Sequence, residues 1–131
     1  MNKSKVPKEL VLDILKRAGT NVQVGAVITD KHGIFSWGWN HTENWTAPAG
    51  GGTGVHAEVH AISRANPKRL KGATIYIAGI RTRNNKVVES KPCPACMHWI
   101  RFVGISRVIY LDKDSWKEFP VGKEKHAKKN V

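Results

Sequence analysis

Two short stretches hold the side chains best suited to chemistry: His56-Ala57-Glu58 and Pro92-Cys93-Pro94-Ala95-Cys96. Cys93 and Cys96 are three apart at what reads as a helix start, so both sulfurs share one face. Pro92 and Pro94 suit that place, because the first helical N–H groups have no intrahelical acceptor to lose. Thiols at the positive end of a helix ionise more readily, and a thiolate pair takes a soft divalent metal. The Cys pair supplies two ligands; His56, at another predicted helix start, is the natural third. Two thiolates and one imidazole leave the fourth tetrahedral position open, as in a catalytic zinc site, where bound water has a pKa of about 7. Glu58, two beyond the histidine, is a carboxylate able to shuttle protons without being a ligand.

Other readings stand beside this one. A Cys-x-x-Cys pair can be redox-active, or half of a zinc ribbon, although no second Cys pair is present to close a ribbon. His56 and His60 are four apart, but His-x-Glu-x-His differs from the metalloprotease pattern, in which Glu follows the first His directly. His60 is therefore expected to be a packed, hydrogen-bonded helix residue. His32, His41, His98 and His126 fall in no partner pattern.

The elements that must position these groups alternate between helix and strand. Pro7 fits a first helical turn, Leu10, Val11, Ile14, Leu15 and Ala18 recur at helical spacing, and Gly19 closes the helix. Residues 22–28 alternate as a strand, Thr29-Asp30-Lys31-His32-Gly33 is turn chemistry, and residues 34–39 return as the second arm of a hairpin. Residues 40–54 form a long loop containing Trp45, Pro48 and three consecutive glycines. Residues 55–65 read as a helix halted by Asn66-Pro67, and residues 73–80 as a buried strand. A second inner helix, 93–103, is closed by Gly104, and residues 106–111 form the last strand. This order implies an α/β layered domain whose last two strands are joined by a crossover helix and are therefore parallel. The reading is a single domain over 1–131, with its core at about 7–112 and a basic C-terminal tail at about 113–131.

The length of 131 residues fits one compact domain, and an apolar share of 40% with five Trp suffices for a core. No apolar run reaches transmembrane length, residues 1–7 lack the apolar stretch of a signal peptide, and two Cys cannot staple a secreted scaffold. A soluble, cytoplasmic protein with no membrane partner is expected. Lys and Arg number 22 against 10 acidic residues, a formal charge of +12. Between Lys31 and Leu111, eleven Lys/Arg face three acids, leaving +8, so the folded middle is itself basic. Arg64, Lys68, Arg69 and Lys71 form one cluster; Arg81, Arg83, Lys86 and Lys91 form another, diluted by Glu89. Such patches suit phosphates, on a nucleotide or along a nucleic-acid backbone.

His-x-Glu followed by Pro-Cys-x-x-Cys resembles the zinc-dependent nucleobase deaminases. Ser36-Trp37-Gly38-Trp39-Asn40 looks like the end of that family's second strand, and 56–62 like its zinc helix. Ala73-Thr74-Ile75-Tyr76-Ile77 and 104–110 resemble two core strands of deoxycytidylate deaminases. The similarity spans about 22–111 and points to the branch holding the dCMP and tRNA-adenosine enzymes. It implies a cytidine-deaminase-like three-layer α/β/α fold, with a mixed central sheet and a parallel final strand pair. It implies one Zn2+ on His56, Cys93 and Cys96, with Glu58 relaying protons. Hydroxide would attack C4 of cytosine or C6 of adenine and release ammonia, while backbone N–H groups beside Glu58 and Cys93 steady the developing charge.

Around the pocket, Asn40 would anchor the sugar, with Ala57, Lys91 and Pro92 also against substrate and Trp45 as a stacking platform. Ser90-Lys91 stands where the tRNA-adenosine type usually has Glu, which favours cytosine. Expected partners are thus a nucleotide or single-stranded nucleic acid as substrate, and other copies of the chain in a homo-oligomer. The alternatives are adenosine deamination in RNA and a noncatalytic, zinc-stabilised nucleic-acid-binding domain.

Overall fold

The structure, a computed structural model, describes residues 4–42 and 54–121. A mixed sheet runs in the order β2 (Gly33–Trp39), β1 (Val22–Asp30), β5 (Thr74–Arg81), β7 (Arg107–Asp112), β8 (Ser115–Pro120). β6 (Lys86–Val88) pairs antiparallel with the Arg81 end of β5, while β7 pairs in parallel with the Thr74 end. The parallel pair follows from the crossover through α4 (Pro94–Val103). β3 (His41–Thr42) and β4 (Gly54–Val55) pair separately as a two-stranded ribbon.

Helices cover both faces, giving three layers. On one face, α1 (Lys5–Ile14) and the 3-10 turn Leu15–Arg17 bury Val11, Ile14 and Leu15 against Val27, Tyr76 and Ile109. On the other, α2 (Ala57–Arg64), the short α3 (Pro67–Leu70) and α4 bury Ala57, Ala61, Leu70, Met97 and Ile100 against Ile28, Ile75, Ile77 and Val108. Central strands β5 and β7 are apolar on both faces because both are covered.

Two glycines let the layers close. A Cβ on Gly38 would stand 2.5 Å from the Ala61 nitrogen and 2.8 Å from the Ala57 carbonyl oxygen, so α2 lies directly on β2. On the opposite face, a Cβ on Gly25 would meet the Val11 carbonyl at 2.8 Å. Ser36 Oγ pins the first contact by donating to the Ala61 carbonyl at 2.6 Å.

The core boundary expected at 112 is corrected: residues 115–120, assigned to the tail, form β8 antiparallel to β7. Phe119 packs against the core and Val121 is buried. The expected helix over 55–65 is also shorter, because Val55 belongs to β4 and His56 is the N-cap of α2.

Candidate metal and active site

α2 and α4 direct their N-termini toward one point. His56 is the N-cap of α2 and Cys93 the N-cap of α4, both with extended backbone. Neither side chain caps its own helix, so both are available as ligands. Pro94 opens α4 and Gly104, at φ 92°, closes it in the left-handed region. One turn into α4, buried Cys96 completes the group: His56, Cys93 and Cys96 offer one ligand atom each, all within 4.8 Å of one another.

These distances fit zinc. With Zn–S of about 2.3 Å and Zn–N of about 2.0–2.1 Å, neighbouring N and S atoms of a tetrahedron lie about 3.6 Å apart. His56 Nδ1 is 3.2 Å from Cys96 Sγ and 3.7 Å from Cys93 Sγ. Both cysteines are free thiols. Burial, followed by the neighbouring Glu58 carboxylate and Cys93, pushes the Cys96 thiol far above its ordinary range. A thiol in this setting ionises for a cation rather than for solvent.

Glu58, in the first turn of α2, is 5% exposed. Burial pushes its carboxyl above the usual carboxylate range, while its own backbone N–H, His56 and the Cys96 thiol pull the other way. A cavity of about 260 Å³ opens onto Glu58, His56, Ala57 and Cys93. Val22 and Val24 from β1 and Val88 from β6 supply apolar wall, and Asn40, Glu89, Ser90 and Lys91 complete the lining.

Several residues singled out in the sequence have partners that define their work. The Asn40 amide is engaged with β1: Oδ1 accepts from the Val24 N–H at 2.8 Å, and Nδ2 donates to the Val22 carbonyl at 2.9 Å and Thr20 Oγ1 at 3.0 Å. That leaves one acceptor lone pair on Asn40 Oδ1, in a residue that lines the cavity. Lys91 Nζ sits 5.0 Å from the centre of the Phe119 ring. Pro92 is buried just ahead of Cys93. Trp45 lies outside the described residues.

Trp37 and Trp39 are partly buried against the α1-side core. Arg64 lies over both rings and Arg17 over Trp39. His60 is outside the metal group, accepting from the Trp39 N–H at 3.2 Å. Sequence reasoning missed Val22, Val24, Val88, Glu89 and Ser90 as lining. The i, i+2 pairing of Val22 and Val24 was a usable signal, since alternate strand residues share a face. Ser90 carried none: its buried hydroxyl donates to the Leu111 carbonyl at 2.8 Å across the sheet.

Residues 1–112 match the family described as the cytidine and deoxycytidylate deaminase zinc-binding region. The chain belongs to this family. It is a zinc-dependent deaminase, a hydrolase acting on C–N bonds, and its cofactor is zinc. No curated protein sequence matches the chain.

Solved structures share the deaminase fold at low identity. A cytidine deaminase from Burkholderia pseudomallei has a TM-score of 0.65 at 20% identity, covering 90% of this chain and 92% of its own. An apo dCMP deaminase from the cyanophage S-TIM5 has a TM-score of 0.62 at 18% identity, covering 83% and 82%. RibD from Acinetobacter baumannii has a TM-score of 0.59 at 19% identity over 84% of this chain and 28% of its own.

Proposed function

We propose that this deaminase converts cytosine to uracil in a nucleotide such as dCMP, releasing ammonia. One observation carries the reading: Glu58, buried and with its carboxyl raised in pKa, closes the same cavity as His56 and Cys93. When bound, zinc supplies Lewis acidity that lowers the pKa of a coordinated water to about 7. His56, Cys93 and Cys96 hold the ion, and their own helices fix them. Glu58 does the proton work: its carboxylate accepts a proton from the attacking water and passes protons to the ring nitrogen and the departing amine. Burial suits both halves of that cycle, since a raised pKa narrows the gap between the forms that accept and donate.

The N–H groups of Ala57 and Cys93, at free helix N-termini, suit charge developing on the ring. Val22, Val24 and Val88 form an apolar slot for a flat base. Asn40 is positioned to accept from a sugar hydroxyl with its remaining lone pair. Lys91 lines the cavity and suits a single phosphate, whereas Pro92, buried just ahead of Cys93, is not part of the lining. The family is named for cytidine and deoxycytidylate, and similar folds belong to a cytidine deaminase and a dCMP deaminase; together these favour cytosine over adenine.

Cytosine in single-stranded nucleic acid is the second reading, favoured by the +12 charge. No described helix is long and apolar enough to cross a membrane. Two adjacent free thiols favour a reducing, cytoplasmic compartment. Self-association is supported by Trp99 and Phe102, 46% and 74% exposed on α4.

Ammonia release from dCMP, cytidine, a cytosine-containing DNA strand and tRNA tests the reading. Turnover of dCMP with Glu58→Gln at least about 100-fold slower and zinc retained is the expected result. Near-wild-type turnover by that variant would overturn the mechanism, and turnover of polynucleotides alone would overturn the nucleotide assignment.

A further inference from the structure

The cations of the cluster at Lys68–Lys71 do not border the metal cavity. They line a separate cleft of about 430 Å³ between the β1–β2 turn and α3, to which Lys31, His32, Lys68 and Lys71 contribute. The sole acid on its wall is Asp30, already held by Arg69 through two short contacts, Nε to Oδ2 at 2.7 Å and Nη2 to Oδ1 at 2.8 Å. Asp30 also accepts from the His32 N–H at 2.9 Å, and the Arg69 guanidinium lies 4.4 Å from the centre of the Phe35 ring. One carboxylate therefore fixes the turn, α3 and their relative placement while leaving Lys31, Lys68 and Lys71 uncompensated. Among the described residues, none of these three forms an ion pair. Three like charges on one preformed wall cost stability unless an anion answers them.

The cleft lies far from the chemistry. It meets β1 at Asp30, whereas the metal cavity meets it at Val22 and Val24. The six residues from Val24 to Asp30 set them about 20 Å apart along the strand. That exceeds the reach of the phosphate on a nucleotide whose base lies against Glu58.

We infer that this cleft is a second anion site, taking a ligand with two or more phosphate groups, separate from the substrate phosphate. The inference stands whichever base the enzyme deaminates. Two sources present the same chemistry: a free polyphosphate, as on a nucleoside triphosphate, or successive phosphates of a single strand. The probes are inorganic tripolyphosphate and a ten-residue oligothymidylate, which carries no cytosine. Binding is measured by calorimetry on the zinc-loaded full chain over a salt series. The variant is Lys31→Ala/Lys68→Ala/Lys71→Ala; a control, Lys5→Ala/Lys16→Ala/Lys86→Ala, removes the same charge from exposed lysines elsewhere.

A free-polyphosphate site predicts that tripolyphosphate binds the wild type and that the cleft variant weakens it at least tenfold, with the control near wild type. A strand site predicts that the cleft variant flattens the oligothymidylate plot of log K against log salt by about 2, at roughly 0.7 per phosphate lost. If both probes bind the cleft variant and the control alike, or bind neither variant nor wild type, the site does not exist. All six lysines are exposed, so a cooperative melt at or above the wild-type temperature confirms that each variant is folded.

Discussion

Cys96 and Glu58 share one buried corner: burial makes both harder to ionise, the Glu58 carboxylate raises the Cys96 thiol further, and the thiol in turn eases ionisation of Glu58. Without a cation the corner is stable as a neutral thiol beside a carboxyl; with zinc, Cys96 becomes a thiolate and Glu58 is freed to handle protons. The metal thus sets the protonation of its surroundings as well as supplying acidity. Cys96→Ser substitutes a harder, far less acidic donor at the buried ligand. Zinc content by elemental analysis after dialysis should fall from one ion per chain to a small fraction, and ammonia release should fall with it. Retention of a full equivalent of zinc would show that Cys96 is not a ligand.

At the scale of elements, the site depends on how closely α2 approaches β2. α2 carries both His56 and Glu58, and its distance from the sheet is set at Gly38, where a Cβ has no room. Gly38→Ala must push α2 outward, at a cost of about 1–3 kcal/mol in stability, and it also displaces two site residues. Urea unfolding should show a lower midpoint at unchanged slope, together with weaker zinc retention. Gly19→Ala is the control, since its Cβ would meet nothing within 4 Å, and it should leave both measurements unmoved.

That contact was not legible in the sequence, because Gly38 reads the same whether its neighbour is solvent or a helix backbone. What was legible is local: the turn before Gly33, read as starting at Thr29 although β1 runs to Asp30, the parallel pair implied by the crossover, and two helix starts carrying His56 and Cys93. β8 was missed because its pattern is that of an exposed edge strand, with Lys117 and Glu118 charged and Pro120 closing it. Its pairing shows in the cross-strand partners Arg107 with Glu118 and Lys117 with Asp112. Asn40 was read for its side chain's chemistry, whereas most of its hydrogen-bonding capacity is used by the β1 backbone, which a linear reading does not reveal.

The whole molecule carries +12 at neutral pH, so acid adds positive charge to a chain already repelling itself. Two groups should divide its acid response. Burial, then His41 and Arg64, hold the His60 imidazole below its ordinary pKa of 6.5. The folded state therefore resists protonation there more than the unfolded chain does, and stability present above about pH 6.5 is lost as pH falls below it. The Arg69 guanidinium holds the Asp30 carboxyl well below the carboxylate range. That contribution is complete above the ordinary value of 3.8 and fades only at lower pH, toward the folded pKa. Melting temperature against pH should thus fall in two limbs, one beginning near 6.5 and the other below about 4. Asp30→Asn should lower the curve at neutral pH and flatten the lower limb, while His60→Gln flattens the upper limb and leaves the lower one in place. If Asp30→Asn instead shifts the whole curve in parallel down to pH 3, Asp30 is protonated in the folded state at no lower pH than in the unfolded one. Its clamp on Arg69 would then be too weak to organise the turn that carries Lys31.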